Sequence, residues 1–131
     1  MKKSGILNPD LCYGLAKLGH GQGVFIVDAG MPLPPVPSQS PRVVDLALRF
    51  GIPRFTDVLD AVLAEIIVQD CAMANEGVGT IVETWLTDRG LSPSHVSHDH
   101  LKKLLPDSAL IIRTGEATPY ANVRLICGVP F

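Results

Sequence analysis

The chain has 131 residues, a formal net charge of −2 and only 18% charged residues against 47% hydrophobic ones. That length supports a single domain over 1–131, and the balance offers no basic face for nucleic acid. Mean hydropathy is +0.28, and so apolar a chain is expected to bury surface against copies of itself.

Asn8-Pro9-Asp10 opens the first helix: Asn8 as N-cap, Pro9 at the first position, and Asp10 complementing the dipole. Leu11, Leu15 and Leu18 give it one buried face, and Gly19 is expected to end it. Val24-Phe25-Ile26-Val27 is a continuous apolar run, as in a strand covered on both faces, with Asp28 at its end. Residues 31–41 hold five prolines and read as a stiffened loop. Residues 43–48 read as a short strand. Phe55, Val58, Leu59 and Val62 share a helical face, and Ile66-Ile67-Val68 reads as the next strand.

A helix is expected over 78–89, closed by Gly90, then a short strand at Val96. A short helix over 99–105 starts near Ser97 or Asp99 and is stopped by Pro106. Two apolar runs, at 109–112 and 123–127, then flank the polar segment 113–122. Helices alternating with strands indicate a three-layer α/β/α domain around a mostly parallel or mixed sheet. No apolar run approaches the roughly 18 residues of a membrane span. The leading residues lack a signal peptide's apolar core. Cys12, Cys71 and Cys127 form no paired motif, which fits a reducing cytoplasm.

Segment 113–122 packs Arg113, Glu116, Tyr120 and Asn122 into ten residues, a set suited to a small polyhydroxylated ligand. The alternative is an ordinary hairpin with a decorated turn. Gly19-His20-Gly21-Gln22-Gly23 has a helix before it and a strand after it, the reverse of a dinucleotide loop. Its glycines leave an imidazole accessible, and Asp28, eight residues later, is expected to pair with His20 and fix its tautomer. His95, His98 and His100 lack the spacing of helical zinc ligands and have no cysteine nearby, so no metal is expected.

Several motifs in order resemble the D-ribose pyranase (RbsD) family. They are Leu18-Gly19-His20-Gly21, Asp28-Ala29-Gly30-Met31-Pro32, Gly51-Ile52-Pro53, Arg113-Thr114-Gly115-Glu116, Pro119-Tyr120-Ala121-Asn122 and Gly128-Val129-Pro130-Phe131. The resemblance spans essentially the whole chain. Ala121 stands where the related L-fucose mutarotase branch tends to have glycine, and Asp28-Ala29-Gly30 where it tends to have a histidine third; both favour the ribose branch. The resemblance implies a cytoplasmic, cofactor-free isomerase interconverting the pyranose and furanose forms of D-ribose, assembled as a ring-shaped homo-oligomer, a decamer, with sites near subunit boundaries.

By matching position, His20 is the acid/base residue. Asp28, His98, Tyr120 and Asn122 bind the sugar, with Ala121 contributing backbone and His100 the substitute for His98. Arg113 and Glu116 are expected to hold the segment in place. The proline loop is longer than the family pattern and lacks its usual lysine. A mutarotase of fucose or another aldose, and a non-catalytic sugar-binding subunit, are the alternative readings.

Overall fold

A computed structural model describes residues 1–35 and 41–131. Part of the proline loop read from the sequence lies outside them. The elements in chain order are α1 (Pro9–Ala16), β1 (Gly23–Val27), β2 (Arg42–Asp45), α2 (Phe55–Leu63), β3 (Val68–Ala74), α3 (Ile81–Thr87), β4 (Ser94–Val96), α4 (His98–Lys103), β5 (Leu110–Arg113) and β6 (Val123–Cys127). The strands form one mixed sheet in the order β2-β5-β1-β6-β3-β4. Strand β1 pairs parallel with β5, and β5 with β2. Strand β6 runs antiparallel to both β1 and β3, while β3 and β4 are parallel. All strands but β6 therefore end on one edge of the sheet.

Three layers follow from the burial pattern. Leu11 and Leu15 of α1, the Phe55, Val58, Leu59 and Val62 face of α2, and Val82 and Leu86 of α3 pack on one side of the sheet. Leu101 of α4 covers the other, with Phe25, Val27 and Ile111. Every residue of β1 is buried, as its unbroken apolar run requires in the centre of a sheet covered on both faces. Each such side chain contributes about 1.5–3 kcal/mol when removed from water.

Two helix starts carry the expected caps. Asn8 accepts from the Leu11 N–H at 2.9 Å, with Pro9 at the first helical position. Ser97 caps α4. Three expectations need correction. Helix α1 ends at Lys17, short of Gly19. Helix α3 begins after Thr80, because Gly79 has φ +74, a left-handed conformation that a helix cannot contain. Strand β3 is Val68–Ala74 and not Ile66-Ile67-Val68; Ile66 packs against the core from the connection before it.

The larger correction concerns segment 113–122. The hairpin reading fails because β5 and β6 do not pair: β1 lies between them. The segment instead crosses the C-terminal end of β1, which sets Asp28 directly beneath it.

Candidate functional site

The crossing segment is stitched to β1 by its backbone. Val27 O accepts from both the N–H and the hydroxyl of Thr114, at 2.9 and 2.8 Å, and the Ala29 N–H donates to Glu116 O at 2.9 Å. Gly115 permits the next layer. A Cβ there would lie 2.2 Å from Ile52 O and 2.4 Å from Arg49 O, so only glycine lets the 49–53 loop lie against the segment. That loop is tied down by Gly51 N–H to Gly115 O at 2.6 Å and Gly115 N–H to Pro53 O at 2.9 Å.

Arg113 and Glu116 do the holding expected of them. The Arg113 Nε donates to Asp45 at 3.0 Å and its Nη1 to Ala29 O at 3.3 Å. Its hydrogen bond holds the Asp45 carboxyl below the ordinary range. Glu116 is buried. One of its oxygens accepts from the N–H of Ala117, the N–H of Thr118 and the Thr118 hydroxyl; the other accepts from the Phe55 N–H at the start of α2. Burial alone would push this carboxyl up, but the four hydrogen bonds outweigh it and hold its pKa below the usual glutamate value.

On this platform Asp28 and Asn122 meet. The Asp28 N–H donates to Asn122 Oδ1 at 2.9 Å, and Asn122 Nδ2 donates to Asp28 Oδ2 at 2.6 Å. The second Asp28 oxygen accepts from the Gly30 N–H at 2.9 Å. Asn122 is fully buried, and after these bonds its carboxamide keeps one N–H. Ala121, also fully buried, donates its N–H to Thr118 O at 3.3 Å.

Tyr120 completes the turn with φ 63, a left-handed conformation unusual for an aromatic residue. Its ring stands edge-on to His98, with centroids 5.2 Å apart at 85°. It is His98 and not His100 that touches Tyr120. The His98 N–H donates to both oxygens of Glu76, at 3.2 and 3.0 Å, and its Nδ1 is buried with no partner among the described residues. The His98 ring thus keeps unused hydrogen-bonding capacity beside a phenol. Glu76 was not legible beforehand, since it follows β3, whose extent the apolar pattern misplaced. Asp28, His98, Tyr120, Ala121 and Asn122 thus gather on one edge of the sheet.

His20 does not join them. It precedes β1, so it stands on the opposite edge, separated from Asp28 by a strand about 16 Å long. Its Nε2 lies 2.8 Å from Gln69 Oε1, so the expected pairing with Asp28 does not occur within one chain. The His95 ring faces Glu83 at 3.2 Å, away from both sets.

A carboxylate, a carboxamide, a phenol and an imidazole thus stand together at the strand-end edge of an α/β sheet, a set of donors and acceptors of the kind that suits a small, hydroxyl-rich molecule. The chain belongs to the RbsD / FucU transport protein family, whose model matches residues 1–130. It is 50% identical over 133 residues to a D-ribose pyranase of Streptomyces coelicolor, and 48% identical over 131 residues to one of Cutibacterium acnes; in both cases 100% of each chain is covered. Among solved structures it is similar to Bacillus subtilis RbsD complexed with D-ribose, with 37% identity, a TM-score of 0.89 and 100% of each chain covered. Among the described residues no helix is long and apolar enough to cross a membrane.

Proposed function

We propose that this chain is a cytoplasmic isomerase that interconverts the pyranose and furanose forms of D-ribose, the activity of a D-ribose pyranase, as a single domain over 1–131. The full-length identity to curated D-ribose pyranases carries this reading. The Asp28–Asn122 pair beside Tyr120 and His98 supplies the sugar-binding chemistry.

Ring opening removes the proton from the anomeric hydroxyl as the bond from C1 to the ring oxygen breaks, and the ring oxygen takes a proton. Reclosure through a different hydroxyl reverses both transfers. One histidine that accepts and returns a proton meets this need, which is the role proposed for His20. Asp28, fixed by Asn122 and Gly30, accepts sugar hydroxyls. The Tyr120 hydroxyl can donate and accept, the His98 imidazole stands beside it, and the remaining Asn122 N–H and the Ala121 backbone complete the cradle.

Because His20 and Asp28 lie on opposite edges, the working site takes its histidine from a second copy. Exposed apolar residues support this. Leu48 and Phe50 are 79% and 84% exposed on the loop that leans on Gly115, and Val78 and Ile81 are about half-exposed near Tyr120. Such a rim favours contact between copies, and a closed ring, here a decamer, is the assembly proposed.

Saturation-transfer NMR on ribose tests the reaction. Pyranose–furanose exchange should accelerate with protein present, and more so for ribose than for fucose. No acceleration above buffer at high protein concentration, or a clear preference for fucose, would refute the proposal.

A further inference from the structure

His20 and Gln69 meet on the edge of the sheet opposite Asp28, with imidazole Nε2 2.8 Å from the carboxamide oxygen. A carboxamide oxygen only accepts, so this contact places the ring proton on Nε2 and leaves Nδ1 as the bare acceptor.

Three local features build the contact. The ladder between β3 and β6 loses register between Val68 and Asp70, making Gln69 the extra residue of a bulge. Bulges re-aim a side chain out of the strand's alternation, and this one turns Gln69 toward the imidazole. Gly128 leaves the room: a Cβ there would lie 3.2 Å from Gln69 Cβ and 3.1 Å from Ile67 Cγ2. The turn carrying His20 is itself fastened. The Gly21 N–H donates to Cys127 O at 2.8 Å, the Cys127 N–H to Gln22 O at 3.0 Å, and the Gly19 N–H to Gln22 Oε1 at 2.7 Å. A hydrogen bond between two freely moving surface side chains contributes little. Both side chains are exposed here, but both backbones are held, so only the side-chain rotamers remain to be fixed when the two groups meet.

We propose that Gln69 is a positioning residue for the acid/base histidine: it holds the His20 Nε2–H, so that Nδ1 is the atom that takes and returns the sugar's proton. This rests on the reading of His20 given above. A neutral carboxamide fixes the tautomer without placing a charge beside the ring.

The test pairs two measurements on the assembled protein and its Gln69→Leu and Gln69→Glu variants. Long-range ¹H–¹⁵N NMR reads the tautomer of neutral His20, and saturation transfer reads ribose exchange. Wild type should show the Nε2-protonated form. In Gln69→Leu the tautomers should mix and the ring should lose its preferred rotamer; even mixing alone halves the competent population, and the freed rotamer lowers it further, so exchange should slow roughly 2- to 5-fold. Gln69→Glu keeps an acceptor oxygen at the same reach, so it should keep the tautomer of the neutral ring, while its charge favours the imidazolium and should move the pH dependence of exchange upward. Gln69→Met serves if the leucine variant fails to fold. An Nδ1-protonated ring in wild type would overturn the proposal, as would a Gln69→Leu protein with unchanged tautomer or unchanged rate. If wild type accelerated no exchange, the functional reading would fail, while the spectra would still decide whether Gln69 sets the ring.

Discussion

Asp28 and Asn122, 94 positions apart in sequence, hold each other through two hydrogen bonds, one from the Asp28 backbone and one from the Asn122 carboxamide. The pair exists because the segment after β5 crosses β1 before returning as β6. Asn122→Ala removes an acceptor and a donor from a buried position. Denaturant unfolding should show a loss of about 1–3 kcal/mol, and ribose exchange should fall with it because the Asp28 carboxylate is no longer fixed. A variant as stable and as active as wild type would contradict this role.

Glu116 makes the stability depend on pH in a defined direction. Its carboxyl is held below the ordinary value of 4.5 by hydrogen bonds from Thr118, Phe55 and Ala117 that outweigh burial. The folded state therefore binds this proton less readily than the unfolded chain. Its contribution is full above about pH 4.5 and is lost as pH falls through the lower folded value. Glu116→Gln turns a donor toward the Phe55 N–H, and should cost about 1.5–3 kcal/mol at neutral pH. The gap between variant and wild type should narrow in acid; a gap that widened below pH 4 would refute the assignment. Asp45, Asp57 and Asp60 are lowered too, but by arginine partners in exposed pairs that salt screens.

Gly115 and Gly77 separate two kinds of crowding. A Cβ at Gly115 meets the backbone oxygens of Ile52 and Arg49, whereas one at Gly77 meets the Met73 Cε at 2.8 Å, the end of a flexible side chain. Gly115→Ala should cost about 3 kcal/mol or more because the 49–53 loop must move, and Gly77→Ala about 1 kcal/mol or less. Thermal melts of the two should rank in that order.

Much of this architecture could be read from local pattern, and the failures share a cause. The unbroken run of β1, the Asn8 cap and the apolar face of α2 are decided within a few residues, where propensity and periodicity act. Strand β3 was misplaced because Gln69 and Asp70 interrupt it with exposed polar groups, while the more apolar Ile66 and Ile67 lie in the connection before it. The hairpin reading failed because nothing near residues 113–122 says that β1 will come between their flanking strands. The same limit hid Glu76 and Gln69: each acts on a histidine distant in sequence, and no local spacing announces the meeting.

Tyr120 carries backbone strain at the candidate site, with φ 63. A left-handed conformation costs a non-glycine residue roughly 1–2 kcal/mol. Tyr120→Gly relieves this while removing the ring that stands against His98. The two effects oppose, so unfolding should shift by less than about 1 kcal/mol while ribose exchange is lost. Tyr120→Phe keeps the ring contact and should lose exchange through the missing hydroxyl alone. Full exchange in the phenylalanine variant would remove the hydroxyl from the site.

The opposite-edge placement of His20 and Asp28 yields the sharpest test of assembly. His20→Ala and Asp28→Ala proteins should each be inactive in ribose exchange. If one site takes His20 from one copy and Asp28 from its neighbour, mixing unfolded variants in equal amounts and refolding them together must regenerate some intact sites. An intact site needs its histidine from an Asp28→Ala chain and its aspartate from a His20→Ala chain. Random assembly gives that combination at about one site in four, so the mixture should recover about a quarter of wild-type exchange. A site completed within one chain would recover none, because every chain in the mixture lacks one of the two residues. Sedimentation of the mixture should match wild type, and a monomer at micromolar concentration would contradict the assembly altogether.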